Sequence, residues 1–154
     1  PAVLEDLRQA LYASKICAYA QGFNLLEEAG KVYGWDLQMG RIAKIWRSGC
    51  IIRARFLDTV SEIFEKENGM TNLLASGYFS QVLYGTRTGW GRIISLALER
   101  GAAVPALSSA LAYFDSYRTA RGSANLLQAQ RDCFGAHTYE RIDKEGAFHT
   151  DWMN

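Results

Sequence analysis

VLEDLRQALYASKICAYAQGFNLLEEAGKVYG, Val3 to Gly34, is the stretch on which the fold turns. Leu4, Leu7, Leu11, Ala18, Leu25 and Ala29 return to one face at the spacing of an amphipathic helix. Ala, Leu, Glu and Gln dominate, all good helix formers. Gly34 is placed to end the helix in a left-handed residue. One long helix is therefore expected from Val3 to about Tyr33.

The rest of the chain reads the same way. Asp36 is an N-cap candidate for a shorter helix to about Arg47, which Ser48-Gly49 interrupts. A third helix is expected from about Cys50 to Lys66, with Ile51, Ile52, Phe56, Val60, Ile63 and Phe64 as its apolar stripe and Asn68-Gly69 as its stop. Thr71 to Tyr84 reads as one or two short helices. Gly85 to Gly91 reads as a turn into a helix from Trp90 to Arg100, ended by Gly101. Pro105 suits the first turn of a helix running to about Tyr117. Ser123 can cap a last helix, Ala124 to Phe134, closed by Gly135.

Only two prolines occur, and no segment alternates with period two, so the fold class is all-α. The expected organisation is a multi-helix part over residues 1–135 and an extended irregular tail over 136–154. That tail holds His137, Tyr139, Phe148, His149 and Trp152. Disordered tails are poor in such side chains. It is therefore expected to pack, on another surface of the domain or on a second subunit.

The 154 residues fit one domain or a large piece of one, and 49% apolar content supports a sizeable core. Formal charge is +1 with no long like-charge run, which argues against nucleic acid and against a polybasic membrane surface. The uncharged run Gly101 to Phe114 is too short to span a bilayer, which takes about 20 residues. PAVLEDLRQ is not a leader pattern, and a start at Pro1 rather than methionine fits a processed product or a piece of a longer polypeptide. Cys17, Cys50 and Cys133 are far apart and odd in number, and with His137 and His149 they complete no metal-ligand spacing. Reduced, mostly buried thiols in a cytoplasmic protein are expected.

Most candidate sites reduce to ordinary structure. Gly85, Gly89 and Gly91 have the spacing G-x-x-x-G-x-G with no preceding strand, which does not match a dinucleotide loop. Lys15, Arg47, Arg53 and Arg55 read as solvated or ion-paired cations. Glu62, Glu65 and Glu67 with Lys66 form a charged helix face, without the cleft that paired acid/base catalysis requires. No catalytic residue, metal site or cofactor-binding residue is assigned.

The exception is QRDCFGAHTYE, Gln130 to Glu140. Arg131 falls in the last turn of a helix and His137 just past its glycine stop. Cations at a helix C-terminus complement the macrodipole, and spacing alone favours that explanation. The rival is a clamp: the Arg131 fork grips a phosphate or carboxylate, and His137 donates to a second oxygen.

Longer motifs then enter. QRDCFGAHTYER closely resembles the C-terminal region of the 6-phosphogluconate dehydrogenase family. So do ALYASKICAYAQGFNLL (Ala10 to Leu26), IWRSGCIIRARFL (Ile45 to Leu57) and FHTDW (Phe148 to Trp152), in family order along essentially the whole chain. The resemblance implies an oxidoreductase of the pentose phosphate pathway and of gluconate utilization. It would oxidise 6-phosphogluconate with NADP and decarboxylate it to ribulose 5-phosphate and CO2. It also implies a homodimer whose C-terminal tail enters the neighbouring subunit and binds substrate there. Carried over by motif, the substrate-binding residues are Arg131, at the phosphate, and His137. The nucleotide-binding glycine loop and the family's catalytic lysine and glutamate have no counterpart here, so NADP is expected to bind mainly to an upstream domain and this segment alone to be inactive. Cys133 stands where the family commonly has an aromatic residue, which touches only local packing. A different class remains open: a free-standing helical dimerisation or ligand-binding module without catalysis. A third, regulatory reading makes the chain a tail-exchange partner for an intact subunit.

Overall fold

The computed structural model describes residues 2–67 and 70–153. The described residues form six α-helices, one short 3-10 turn and one two-stranded hairpin, so the class is all-α, as expected. The chain divides into two compact units, Pro1–Phe114 and Asp115–Asn154.

The first unit is built on α1 (Ala2–Tyr33) and α4 (Gly77–Glu99), which pack along each other. The long first helix is as read, and Gly34 follows it at φ 68°. The buried face is not the one the leucine spacing suggested. Ala10, Ala13, Ile16, Cys17, Ala20 and Phe23 are buried, whereas Leu4 and Leu25 are each 70% exposed. The reason lies across the interface. Gly89 of α4 sits so close to α1 that a β-carbon there would come within 2.8 Å of Asp6 Oδ1. Close approach selects the small-residue face of α1 and leaves the leucines outside.

The expected turn at Gly85–Gly91 is corrected by the same contact. α4 runs unbroken through these glycines, because its buried set Phe79, Leu83, Trp90, Ile93 and Ala97 keeps one face toward the core. Ser76 caps its start, its hydroxyl accepting from the Phe79 amide at 3.2 Å, and a 3-10 turn at Leu73–Ala75 leads in. Trp90 is fully buried and donates Nε1 to the Leu107 carbonyl at 3.2 Å. That bond ties α4 to α5 (Pro105–Tyr117), which begins at its proline as read.

α2 (Met39–Arg47) starts later than Asp36, because the Asp36 carboxylate accepts instead from the Gln38 side chain at 2.8 Å. α3 (Leu57–Lys66) does not reach back to Cys50. Residues 48–56 are turns, and Ile51 is fully exposed rather than part of a stripe. α2 and α3 are joined by the Ser61 hydroxyl donating to the Gly40 carbonyl at 3.0 Å, by Lys44 with Glu65 at 2.6 Å, and by the Arg47–Asp58 ion pair. The stop expected at Asn68-Gly69 lies outside the described residues. Tyr19, Phe23, Trp46, Phe56, Phe64 and Phe79 make an aromatic cluster that seats this pair on α1 and α4.

The second unit holds α6 (Ala124–Gly135) and the tail. Ser123 precedes α6, but its hydroxyl makes no capping bond. The tail is less irregular than its sequence suggests. β1 (Tyr139–Glu140) pairs antiparallel with β2 (Ala147–Phe148), Tyr139 facing Phe148. Arg141 closes the turn through paired bonds to Asp143 at 2.8 and 2.6 Å.

Candidate functional site

α6 reaches one residue further than expected, through its glycine. Gly135 is helical, and Ala136 takes the left-handed cap at φ 50°, donating to the Asp132 carbonyl at 2.8 Å. Thr138 is also left-handed, at φ 62°. Two non-glycine residues in this region on either side of His137 are costly, and something must hold them there.

What holds them is Asp132. It is the buried residue of this unit among those described, with 0% exposure, and its carboxylate collects four donors from the tail. Oδ1 accepts from the Thr138 amide at 2.9 Å and faces His149 Nδ1 at 2.9 Å. Oδ2 accepts from the Thr150 amide at 3.0 Å and from Trp152 Nε1 at 2.9 Å. Burial pushes this carboxyl upward, but the four hydrogen bonds outweigh it and hold it well below the usual carboxylate range. The carboxylate thus stays charged and organises the tail. Tyr139 adds a hydroxyl contact to Thr150 Oγ1 at 2.6 Å.

The two residues singled out in the sequence both lie on this unit. Arg131 is exposed on α6, and Gln128 Oε1 accepts from its Nη1 at 3.2 Å. Among the described residues it has no carboxylate within ion-pairing distance, unlike Arg8, Arg92 and Arg141, which face Glu5, Asp6 and Asp143. His137 is exposed and lines a cleft of about 540 Å³ with Asn125, Gln128, Thr138 and Glu140. Its ring lies against the end of α6, where a β-carbon on residue 135 would stand 2.9 Å from both Cδ2 and Nε2. Gly135 is therefore needed less to stop the helix than to seat the imidazole. A guanidinium without a carboxylate partner and an imidazole on a fixed loop can bind an anion through charge-assisted hydrogen bonds.

Asp132 and Gln128 are not among the residues the sequence singles out. For Asp132 a signal existed: an acid in the last turn of a helix opposes the macrodipole, so it needs donors from elsewhere, and His149 and Trp152 follow it.

Other chemistry is limited. Of the thiols, Cys17 is buried, Cys50 half-buried and Cys133 exposed, so the expectation that most are buried is corrected. Burial pushes Cys17 up to about 12, which leaves it unreactive. Among the described residues, no group of His, Cys, Asp and Glu is arranged to hold a metal ion, and no helix is long and apolar enough to cross a membrane.

A family model described as 6-phosphogluconate dehydrogenase, C-terminal domain, matches residues 1–152. The NADP(+)-dependent decarboxylating 6-phosphogluconate dehydrogenase of Bacillus subtilis is 54% identical over 98% of this chain, and the NAD(+)-dependent enzyme of the same organism is 50% identical over 97%. Decarboxylating 6-phosphogluconate dehydrogenase 1 of rice is 51% identical over 98%. The chain spans 32% of the length of each of these relatives. Among solved structures, Plasmodium falciparum 6-phosphogluconate dehydrogenase, described in apo form and in complex with its cofactor NADP+ and with its substrate 6-phosphogluconate, superposes with a TM-score of 0.92. It is 40% identical, and the alignment covers 97% of this chain and 32% of that one.

Proposed function

Because the chain belongs to the 6-phosphogluconate dehydrogenase C-terminal domain family, we propose that it acts as the C-terminal part of an NADP-dependent decarboxylating 6-phosphogluconate dehydrogenase. In that reading it supplies subunit contacts and two substrate-binding residues to a cytoplasmic homodimer of the pentose phosphate pathway. The carrying observation is the pair Arg131 and His137: a guanidinium with no carboxylate partner among the described residues, and an imidazole fixed beside the same helix end.

Arg131 holds the phosphate of 6-phosphogluconate through its fork, and His137 donates to a second oxygen of the substrate. Both bind and orient; neither takes part in bond-making. NADP accepts the hydride, but the residues here do not fit it. Gly85, Gly89 and Gly91 lie inside α4, where backbone amides are engaged within the helix and cannot cradle a pyrophosphate. The segment resembles NAD(+)- and NADP(+)-dependent relatives almost equally, which agrees with coenzyme binding outside it.

Exposed apolar side chains on the second unit support the dimer. Leu126, Leu127, Phe134 and Ile142 are exposed, Phe134 by 82%. Four exposed large apolar side chains on so small a unit favour a covering surface, and we assign that surface to the partner subunit.

The test is steady-state kinetics on the full-length protein. Arg131→Ala removes charge-assisted hydrogen bonds of about 2 kcal/mol, so KM for 6-phosphogluconate is expected to rise about 30-fold. KM for NADP should stay within about twofold. An equal rise for both would refute the assignment.

A further inference from the structure

One side chain links the two proposed substrate ligands. Gln128 lies three and four residues before Arg131 and Asp132, so all three share one face of α6. Its amide is used at both ends. Nε2 donates to the Thr138 carbonyl at 2.6 Å, and Oε1 accepts from Arg131 Nη1 at 3.2 Å. The orientation is set by chemistry: reversed, the amide would set oxygen against a carbonyl and an NH2 group against a guanidinium.

The Thr138 residue is thereby clasped from both sides. Its N–H is held by Asp132 and its C=O by Gln128, while its backbone sits at φ 62°. His137 is the residue immediately before it. Asp132 serves the whole tail, but Gln128 has a narrower reach: it connects the loop that carries the imidazole to the guanidinium. Gln128 is only half-buried, so it is not part of a core.

We infer that Gln128 is a positioning residue that sets the Arg131 guanidinium relative to His137, so that both meet one anionic substrate. The inference rests on the reading of Arg131 and His137 given above. Without Gln128, Arg131 samples free rotamers and the Thr138 carbonyl loses its donor, so substrate binding weakens while the rest of the protein is unaffected.

The experiment uses the full-length protein and four variants: Gln128→Leu, Arg131→Ala, the Arg131→Ala/His137→Ala pair, and all three substitutions together. Gln128→Leu keeps the bulk and removes both hydrogen bonds. It is expected to raise KM for 6-phosphogluconate about fivefold to tenfold, with KM for NADP and the melting temperature little changed. On the Arg131→Ala/His137→Ala background it should add no more than about twofold, because the groups it positions are gone. That loss of effect is what a merely structural glutamine would not give. If Gln128→Leu leaves KM unchanged while Arg131→Ala raises it, the inference fails and the functional reading stands. If Arg131→Ala itself leaves KM unchanged, the reading fails and the inference with it. If Gln128→Leu raises KM equally in both backgrounds, or lowers the melting temperature and weakens both substrates together, Gln128 is structural and the inference is overturned.

Discussion

Gly135→Ala is expected to separate stability from binding. A β-carbon at residue 135 would lie 2.9 Å from His137 Cδ2 and Nε2, and ordinary contact begins near 3.4 Å. The imidazole must therefore withdraw by about 0.5 Å at least. It is exposed and can turn, so the strain is that of one displaced rotamer, about 0.5–1.5 kcal/mol. Residue 135 is helical, and alanine there gains about 0.5–1 kcal/mol over glycine. The two nearly cancel, so the melting temperature should move by only a few degrees. Binding is another matter. A displacement of 1 Å at a positioned group can cost about 100-fold, so half of that should raise KM for 6-phosphogluconate roughly tenfold in the full-length protein. The assay pairs a thermal melt with KM for each substrate, in wild-type and His137→Ala backgrounds. An unchanged KM would refute the argument. So would a rise of equal size when His137 is already alanine, because the β-carbon would then be acting on something else.

Further outcomes are expected. Gly85→Ala and Gly91→Ala should each stabilise the protein by about 0.5–1 kcal/mol in urea unfolding, because both lie inside α4 with nothing within 4 Å of an added β-carbon; a turn at these positions would reverse the sign. Gly89→Ala should not share that gain, since its β-carbon would stand 2.3 Å from Gln9 Oε1 as well as close to Asp6. Asp132 is held below its ordinary range, so the stability it contributes is complete above about pH 4 and fades as pH falls below that; an acid titration of Trp152 emission, taken as the difference from Trp152→Phe, should follow it. Asp132→Asn should abolish that transition and speed amide exchange at Thr138 and Thr150 without affecting α1 and α4, and an unaltered titration would contradict the role given to the carboxylate.

Helix-rich character was legible because propensity and punctuation agree along most of the chain. Gly34, Pro105 and the Gly101 break behaved as local chemistry requires. Which face of α1 is buried was not legible. That helix carries apolar residues on several faces, and the deciding fact is an interhelical approach at Gly89, a residue far away in sequence. The same contact explains α4: three glycines in a short stretch signal a turn by propensity, and a buried face bearing Trp90 overrides them. The Cys50–Phe56 stretch failed for the opposite reason. Ile51 and Ile52 lie four to five residues before Phe56, as a helical stripe would place them, but the bonds joining α2 to α3 come from Asp58, Ser61 and Glu65, and Ile51 is fully exposed. At the site, Arg131 and His137 were visible as residue types, whereas Gln128 and Asp132 were not. Their roles depend on a tail that returns to α6 through positions 138, 149, 150 and 152, and no local pattern encodes that return.

The second unit is inverted relative to an ordinary small domain. Its interior is a carboxylate with four donors, and its leucines, Phe134 and Ile142 face outward. Hydrogen bonds to one buried charge fix a conformation well, but contribute little net stability compared with a buried apolar core. Such a unit is specified before it is stabilised. The missing stabilisation is available only if another surface covers the apolar side chains, and the proposed partner subunit is that surface. Under this arrangement binding and assembly depend on each other: the contact that buries Phe134 and its neighbours also carries Arg131 and His137 to the substrate. Placing charge on these exposed side chains, as in Leu126→Glu with Phe134→Glu, should then leave the Asp132 network intact by amide exchange, shift sedimentation toward monomer, and raise KM for 6-phosphogluconate in step with dissociation. A fully active monomer would show that the apolar face and the two ligands have nothing to do with each other.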